Sequence, residues 1–294
     1  MMAKNNSRKI FEVFNNAFMV FMIVITLYPL IYVVLASVSD SNELIRAGGK
    51  LLYKPLGFNF DAYKKALSYP MILTGYKNTI FVVIVGTVLS MVLSSLAAYF
   101  MTRKDVILKK IIVFLILFTM YFGGGIIPFY FVVNDLGLLD TIWALIIPSC
   151  LSTYNIIVLR TGFASVPESL VESARIDGAG HMRILFSVII PLAKASLAVV
   201  ALYYGVSYWN SWFNASIFLQ KSSEHWPLQL VLRKILILND TSTMTAGVDM
   251  GDVENVAESI KYAVIILATV PILILYPFIQ KYFVKGVMVG AVKG

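Results

Sequence analysis

The sequence has few charged residues and a single cysteine. Only 14% of its 294 residues are charged, whereas 59% are apolar, and the mean hydropathy is +0.81. This balance is typical of membrane proteins and excludes an ordinary soluble domain. Cys150 has no second cysteine to pair with, so an intrachain disulfide is excluded. Because it lies in a hydrophobic run, we expect a small buried residue and not a reactive thiol.

Sequence signatures of catalysis and of nucleotide binding are also missing. No glycine-rich turn ends in Gly-Lys-Ser or Gly-Lys-Thr, and the glycine run 123–125 has no lysine after it, so the sequence has no P-loop. No HExxH string occurs, and the topology predicted below places His181 and His225 on opposite faces of the membrane. We therefore predict a chain that is not an enzyme and that binds no metal or cofactor of its own.

Four long stretches have no ionisable side chain. No Asp, Glu, Lys, Arg or His falls within residues 80–100, 111–133, 141–159 or 195–219. An ion-coupled carrier usually keeps such a group near the middle of the bilayer, although backbone carbonyls alone can hold sodium. An ion-coupled secondary transporter or a channel subunit is therefore disfavoured but stays an alternative, and a membrane-embedded enzyme is a third.

Six hydrophobic runs are long enough to cross a bilayer as helices. They cover residues 14–38, 76–101, 111–133, 141–163, 192–219 and 259–283. The first run has too long an apolar core for a signal peptide, so we expect it to be a retained span. The sequence thus predicts an all-α membrane protein with six transmembrane helices. We divide it into an N-terminal segment with the first span and first outer loop (1–75), a core (76–283) and a tail (284–294).

The charge distribution predicts the orientation of these spans. With the N-terminus inside, the inward segments and the span ends next to them carry 14 of the 24 Lys and Arg residues but only five of the 16 acids. This asymmetry follows the positive-inside rule, despite six basic residues in the first outer loop and the span end that follows it. We expect both termini in the cytoplasm, and the net charge of +8 then reflects topology and not nucleic-acid binding.

The longest inward connection, residues 164–191, is polar and contains spaced glycines. Pro167 suits the first position of a helix, where its missing N–H has no effect. We expect that helix to run over 168–177 and to end at Gly178 and Gly180, which permit a sharp reversal. A second short helix is expected to lead into the fifth span.

The first of these helices has a small, partly apolar face. Leu170, Val171, Ala174 and Asp177 fall on one side at helical spacing. A short helix of this kind, with charged residues on its flank, suits insertion into a groove of a partner protein. The alternative is an amphipathic helix lying on lipid headgroups, which would need bulky hydrophobic residues and many lysines.

A family resemblance favours the partner-protein interpretation. Glu172-Ser173-Ala174, three residues, Gly178, nine residues and then Val188-Ile189-Ile190-Pro191 resembles the EAA motif of bacterial ABC-importer permeases. The motif has Ala, Ile and Leu where this chain has Ser173, Val188 and Ile190, which are all changes to residues of similar volume. The glycine, the proline and both spacings are kept.

Other segments extend the resemblance over most of the chain. Asn78-Thr79, the run Gly137-Leu138-Leu139-Asp140-Thr141 and the ending FVKGVMVGAVKG are similar to the maltose-type carbohydrate permeases. The run YFGGGIIPFYF at 121–131 is similar to the branch of that family that handles oligosaccharides.

The resemblance implies the type I ABC-importer permease fold, with a cytoplasmic coupling helix between the fourth and fifth spans. It also implies the partners: a second, similar permease, two cytoplasmic ATPase subunits that bind ATP and Mg²⁺, and an extracytoplasmic solute-binding protein. The expected location is the bacterial cytoplasmic membrane, and the cargo a carbohydrate. The residues implied at the ATPase contact are Glu172, Ser173, Ala174, Arg175, Asp177, Gly178, Pro191, Gly290 and Lys293.

The fifth span is rich in aromatic and amide side chains. Tyr204, Tyr208 and Trp212 recur every four residues, so on one continuous helix they would share a face. Aromatic rings stack on the C–H faces of sugars, and amides bind hydroxyls without adding charge. We therefore predict a route for a neutral or weakly polar glycan, although an interfacial aromatic belt would show the same residues. The candidate pathway residues are Tyr204, Tyr208, Trp209, Asn210, Trp212 and Asn214.

Overall fold

The computed structural model describes residues 6–237, 257–274 and 277. Within these residues every regular element is a helix. The helices are α1 (Asn6–Ser37), α2 (Ser41–Arg46), α3 (Asp61–Ser68), α4 (Pro70–Thr102), α5 (Lys109–Tyr121), α6 (Ile126–Asp135), α7 (Trp143–Ile146), α8 (Thr153–Ala164), α9 (Glu168–Ile176), α10 (His181–Ile184), α11 (Ile190–Leu192), α12 (Lys194–Trp209), α13 (Trp212–Phe218), α14 (Leu228–Ile237) and α15 (Ala257–Ile274).

The chain forms two compact units. The first combines residues 1–70 with 234–270, of which the structure describes α1 to α3 and most of α15. Its small core contains Ala36, Leu44 and Leu52. Asp40 caps α2 by accepting hydrogen bonds from the backbone N–H groups of Asn42 and Glu43, at 3.0 and 3.2 Å. The most apolar window of α1 has none of its residues buried inside the chain, as suits a helix that faces lipid.

The second unit, residues 71–233 and 271–294, holds the larger core. Helices α8 and α12 pack closely within it. A Cβ atom added at Gly162 on α8 would overlap the side chain of Ser196 on α12. Because even a methyl group has no room there, the two helix backbones approach as closely as glycine allows.

Three helices are long and apolar enough to cross a membrane unbroken, and three bent helix pairs bring the number of candidate spans to six. The unbroken ones are Arg8–Ser37, Pro70–Thr102 and Ala257–Ile274. The second starts at Pro70, six residues before the predicted start. The predicted sixth span ends beyond Ile274, so its last part lies outside the described residues except for residue 277. The predicted division at residues 75 and 283 stays a prediction.

The third, fourth and fifth predicted spans are not single helices, and this corrects the sequence prediction. Helices α5 and α6 meet at 118°, and the residue before α6, Gly125, has a φ of +82° that favours glycine. The fourth span bends by 53° after a 3₁₀ turn that contains Pro148, and Cys150 at this bend is half-buried. An 89° bend at Ala193 lies at the start of the predicted fifth span and joins it to the preceding helical stretch His181–Leu192. The span itself breaks after Trp209.

Candidate functional site

Helix α9 begins and ends almost as the sequence predicts. Pro167 has φ −56° and ψ 128°, so it precedes the helix and does not form its first turn. At the other end Gly178 has φ +78°. Its N–H donates to the Arg175 carbonyl at 3.0 Å, and the Ala179 N–H donates to the Ala174 carbonyl at 2.9 Å. This pair of bonds is a Schellman motif, which needs a left-handed residue at the position of Gly178.

The buried face of α9 differs from the predicted one. Val171 is 1% exposed and Ala174 packs against the same core, whereas Leu170 and Asp177 are exposed. The outer face presents Glu172, Ser173 and Ile176 to solvent, with Ile176 87% exposed.

Ile176 was missed by the sequence analysis because one apolar residue beside Gly178 looks like a core position. In the structure the Ile176 side chain projects into solvent between the charged residues Arg175 and Asp177. Single exposed apolar residues are common on protein surfaces, so the coupling role of this face is argued below from the whole helix.

Two ion pairs join α9 to the C-terminal end of α4. The Arg103 side chain, 6% exposed, lies 3.9 Å from the Glu168 carboxylate, and its guanidinium stands 4.8 Å from the centre of the Tyr99 ring. Arg175 approaches Asp105 at 3.2 Å. The N–H of Asp105 itself and the Arg175 guanidinium lower the pKa of the Asp105 carboxyl, so it stays ionised at neutral pH.

These contacts place the basic loop 103–108 and the segment 164–191 at the same end of α4. The predicted topology requires this arrangement, because it places both segments on the cytoplasmic side. Arg175 therefore has a partner within its own chain, and its predicted ATPase contact stays a prediction.

The chain that follows α9 returns to the core through a widened turn. Ile184, Leu185 and Ile189 are buried, and residues Leu185–Ile189 form a π-helix. Pro191 has no N–H and its ring interferes with the carbonyl four residues earlier, so the turn before it widens. Pro191 itself is exposed. Gly290 and Lys293 lie outside the described residues, and their predicted ATPase contact stays a prediction.

At the N-terminal end of α4, side chains bind backbone groups of distant segments. The Asn78 amide donates to the carbonyls of Glu224 and Trp226, at 2.7 and 3.1 Å. The Thr79 hydroxyl accepts a bond from the N–H of Leu228 at 2.8 Å. These are the two residues that carry part of the family resemblance, and they fix the start of α14.

Tyr204 and Tyr208, two of the predicted pathway residues, lie in the core. The Tyr204 hydroxyl bonds to Ser94 at 2.6 Å and accepts the Ser152 N–H at 3.0 Å. The Tyr208 hydroxyl bonds to Ser90 at 2.9 Å, and its ring lies so close to Gly86 that a Cβ there would be 2.7 Å away. Both tyrosines therefore pack α12 against α4 in this structure.

The predicted stripe of Tyr204, Tyr208 and Trp212 on one helical face is wrong. Helix α12 ends at Trp209, and the Asn210 amide bonds back to the Val206 carbonyl at 3.0 Å. The break puts Trp212 at the start of a new helix, α13, so the four-residue spacing no longer sets its direction.

The six candidate pathway residues differ in exposure on the two sides of the break: the three before it are buried, and the three after it are at least partly exposed. Trp209 is buried, Asn210 is exposed, and Trp212 and Asn214 are half-buried. The Asn214 amide reaches the Ser149 hydroxyl at 3.4 Å. Trp212 has a partner that sequence reasoning did not find: the guanidinium of Arg233 on α14 lies 4.0 Å from the centre of its ring. In the described residues no group of three or more His, Cys, Asp or Glu side chains is placed to hold a metal.

Comparison with known sequences shows similarity along the whole chain. It is 39% identical over 291 residues to the polygalacturonan/rhamnogalacturonan transport system permease protein YtcP of Bacillus subtilis, which covers 97% of this chain and 99% of the relative. It is 38% identical over 293 residues to Protein LplC of the same organism (100% and 98% covered). It is 30% identical over 278 residues to the arabinooligosaccharides transport system permease protein AraQ of Halalkalibacterium halodurans (93% and 94%).

A solved structure has the same fold. The crystal structure of a bacterial ABC transporter involved in the import of the acidic polysaccharide alginate contains a chain that superposes with a TM-score of 0.89 at 33% identity. The match covers 96% of this chain and all of that one. It confirms the predicted all-α type I permease fold.

The family model that matches residues 1–289 is described as binding-protein-dependent transport system inner membrane component. This match confirms a multi-pass permease subunit of an ABC importer, and a transport component instead of an enzyme. The chain belongs to the family of binding-protein-dependent transport system inner membrane components.

Proposed function

We propose that this permease forms half of the translocation pathway of an ATP-driven carbohydrate importer. The relatives named above are described as carrying polygalacturonan or rhamnogalacturonan and arabinooligosaccharides, and the matching structure as importing alginate. All of these are carbohydrate chains, so an oligosaccharide is the proposed cargo. A second, similar permease completes the pathway, and an extracytoplasmic binding protein delivers the cargo.

Two cytoplasmic ATPase subunits, with their ATP and Mg²⁺, supply the free energy in this proposal. Helix α9 contacts the ATPase subunits in this proposal and transmits their movement to the spans. The supporting observation is its geometry: a three-turn helix, ended by the left-handed Gly178, that buries Val171 and turns Glu172, Ser173 and Ile176 outward. A protein groove with an apolar floor and a basic rim would be complementary to this face. Closure of the ATPases would then move the spans between inward-facing and outward-facing states.

The proposal places the bundle in a bacterial cytoplasmic membrane with both termini inside. The basic loop 103–108 then faces the cytoplasm together with α9, in agreement with the ion pairs that join them. The tail residues Gly290 and Lys293 are proposed to approach the ATPases.

Cross-linking tests the coupling contact directly. Replacing the only cysteine (Cys150→Ser) gives a background without thiols, into which Ile176→Cys is introduced. In the assembled transporter this residue should cross-link to an ATPase subunit, and ATP with vanadate should change the yield. Lys221→Cys is the matched control and should give no ATPase product. Lys221 is exposed and lies three residues before Glu224, whose carbonyl binds Asn78 near the other end of α4. A transporter that imports cargo without any such cross-link would disprove the contact.

Uptake assays separate this mechanism from ion-coupled transport. Proteoliposomes that hold the complete complex should import labelled oligosaccharide only with ATP inside and should be unaffected by ionophores. Uptake by the isolated chain on an ion gradient, indifferent to ATP, would establish the ion-coupled carrier instead.

A further inference from the structure

Arg233 occupies a fixed position on α14. The Leu228 N–H is bound by Thr79 at 2.8 Å, and Leu230, Val231 and Leu232 are buried. These contacts leave little freedom to the backbone of the helix. Arg233 itself is half-exposed, so its side chain reaches solvent from a helix that is otherwise anchored.

The guanidinium group of Arg233 is held by an aromatic ring. Its central carbon lies 4.0 Å from the centre of the Trp212 ring, which is within the range of a cation–π contact. The five N–H donors of a guanidinium point outward in its plane, in the fork that matches a carboxylate.

No carboxylate of the described residues lies within ion-pair distance of Arg233. The contrast is Arg103 in the same unit, which approaches Glu168 as well as stacking on Tyr99. Arg103 thus combines a ring and an acid, whereas Arg233 has the ring alone among the described residues. An arginine that is positioned but lacks an acidic partner suits the recognition of an external anion.

The break beside Trp212 adds further polar groups to this part of the chain. The indole N–H of Trp209, a residue that is 8% exposed, and the hydroxyl of Ser211 are both buried and without a hydrogen-bond partner in the described structure. Unpaired buried groups of this kind call for a physical explanation, and a polar ligand or ordered water is a common one. Trp209 is itself one of the predicted pathway residues, and Ser211 lies between two others, Asn210 and Trp212.

We propose that Arg233, oriented by Trp212, binds the carboxylate of an acidic sugar unit in the translocation pathway. Trp212 is the positioning residue and Arg233 makes the contact. The inference rests on the proposed carbohydrate transport and sharpens it: the cargo carries uronic acid units, in place of the neutral glycan that the sequence predicted. Paired N–H groups from one guanidinium would discriminate a uronate from its neutral ester.

The test compares one sugar with and without its charge. Proteoliposomes with the complete transporter, including the binding protein, are supplied with trigalacturonate or with its methyl ester, and initial uptake rates are measured with ATP inside. The binding protein is the same in every sample. A change in the ratio of acidic to neutral uptake between permease variants therefore reports the permease.

Arg233→Gln should lower that ratio by about tenfold, the effect of losing one hydrogen-bonded charge, and leave uptake of the ester nearly unchanged. Arg233→Lys keeps the charge but not the fork, and should recover part of the ratio. Trp212→Ala should lower it less than Arg233→Gln does. The matched control is Lys221→Gln, which removes another exposed positive charge and should leave the ratio as it is.

Three results would overturn the inference. An equal loss of both cargoes in Arg233→Gln would assign the residue to assembly or to docking of the binding protein. An unchanged ratio would leave Arg233 without a role in recognition, while the proposed import stands. A wild-type complex that takes up neither sugar, while it still imports a neutral oligosaccharide with ATP inside, would overturn this inference and leave the proposed carbohydrate import standing.

Discussion

The two ends of α4 are held by different kinds of interaction. At its C-terminal end, Arg103 and the loop after it meet α9 through side-chain ion pairs of 3.9 and 3.2 Å. At its N-terminal end, Asn78 and Thr79 bind backbone groups of residues 224–228 at 2.7 to 3.1 Å. The helix has 33 residues, so the two ends are about 50 Å apart.

The difference separates a mobile attachment from a rigid one. The Arg175–Asp105 pair is exposed, and exposed ion pairs are weak, tolerate small shifts of their long side chains, and are screened by salt. Arg103 is buried, but the Glu168 carboxylate is exposed and lies 3.9 Å from it. Buried hydrogen bonds to the backbone are directional, and breaking them leaves groups that water cannot reach. We infer that α9 can move relative to α4 at a small cost in free energy. Moving the start of α14 relative to α4 would cost more.

The largest expected effect on cargo uptake comes from a substitution in the turn after α9. Gly178→Asp should reduce uptake to background while insertion and thermal stability stay close to wild type. A Cβ atom at this glycine meets open space, and Asp tolerates the left-handed backbone better than most residues, at a cost of about 1 kcal/mol. The side chain therefore interferes with seating on the ATPase and not with folding. Uptake and thermal unfolding of the purified transporter measure the two effects.

Gly49 offers the matched control for this variant. It has a φ of +74° and likewise no atom within 4 Å of an added Cβ. Gly49→Asp should therefore carry the same backbone penalty without any loss of uptake. Normal transport by Gly178→Asp, or equal losses in both variants, would contradict a docking role for the turn.

The second prediction concerns protein stability at the N-terminal end of α4, the rigid attachment. Asn78→Leu removes both amide donors and leaves two carbonyls unpaired, so we expect the free energy of unfolding to fall by about 3 kcal/mol. Thermal unfolding in detergent measures it. Asn134→Leu is the control, because Asn134 is exposed and its amide reaches only the neighbouring Asp135. If the two variants unfold alike, the contrast between the two ends of α4 is wrong.

The smallest expected effect, on ATPase activity, comes from the ion pair at the C-terminal end of α4, the mobile attachment. Arg175→Ala and Asp105→Ala should each reduce cargo-stimulated ATPase activity by at most a few-fold, with no further loss in the double variant. High salt should remove the difference between wild type and variants. The Arg46–Glu43 pair of similar length and exposure is the control, and its loss should have no effect on ATPase activity.

The lowered pKa of Asp105 sets the pH dependence of that contact. A carboxyl whose folded-state pKa is depressed contributes fully above its unfolded value, near 3.8, and loses the contribution only as pH falls through the lower folded value. ATPase coupling should therefore not change through this pair between about pH 6 and pH 8. A loss within that range would assign the effect to a group other than Asp105.

The coupling segment could be predicted to within a residue at each end of α9. Pro167 and Gly178 act through backbone sterics, which depend on the residue itself and little on tertiary context. The buried face was harder to assign. Val171 and Leu170 are adjacent and both apolar, and only the packed core decides which of them turns inward.

The bends in three spans could not be predicted from hydropathy, which measures apolarity and not direction. The break before α6 coincides with the glycine run 123–125, but the break after Trp209 has no glycine or proline next to it. For the same reason the Trp212–Arg233 contact was missed. It joins helices that are about 20 residues apart in sequence, and a lone arginine after a polar loop has no motif to mark it.

The close approach of Gly162 and Ser196 has a mechanical consequence. The chain leaves α8, passes through the segment with α9 and returns as α12, so both ends of the segment enter the same tightly packed pair of helices. With no room between the two backbones for even a methyl group, the two helices cannot be pressed closer together at this point. A push on α9 that drives them toward each other must therefore move both helices together.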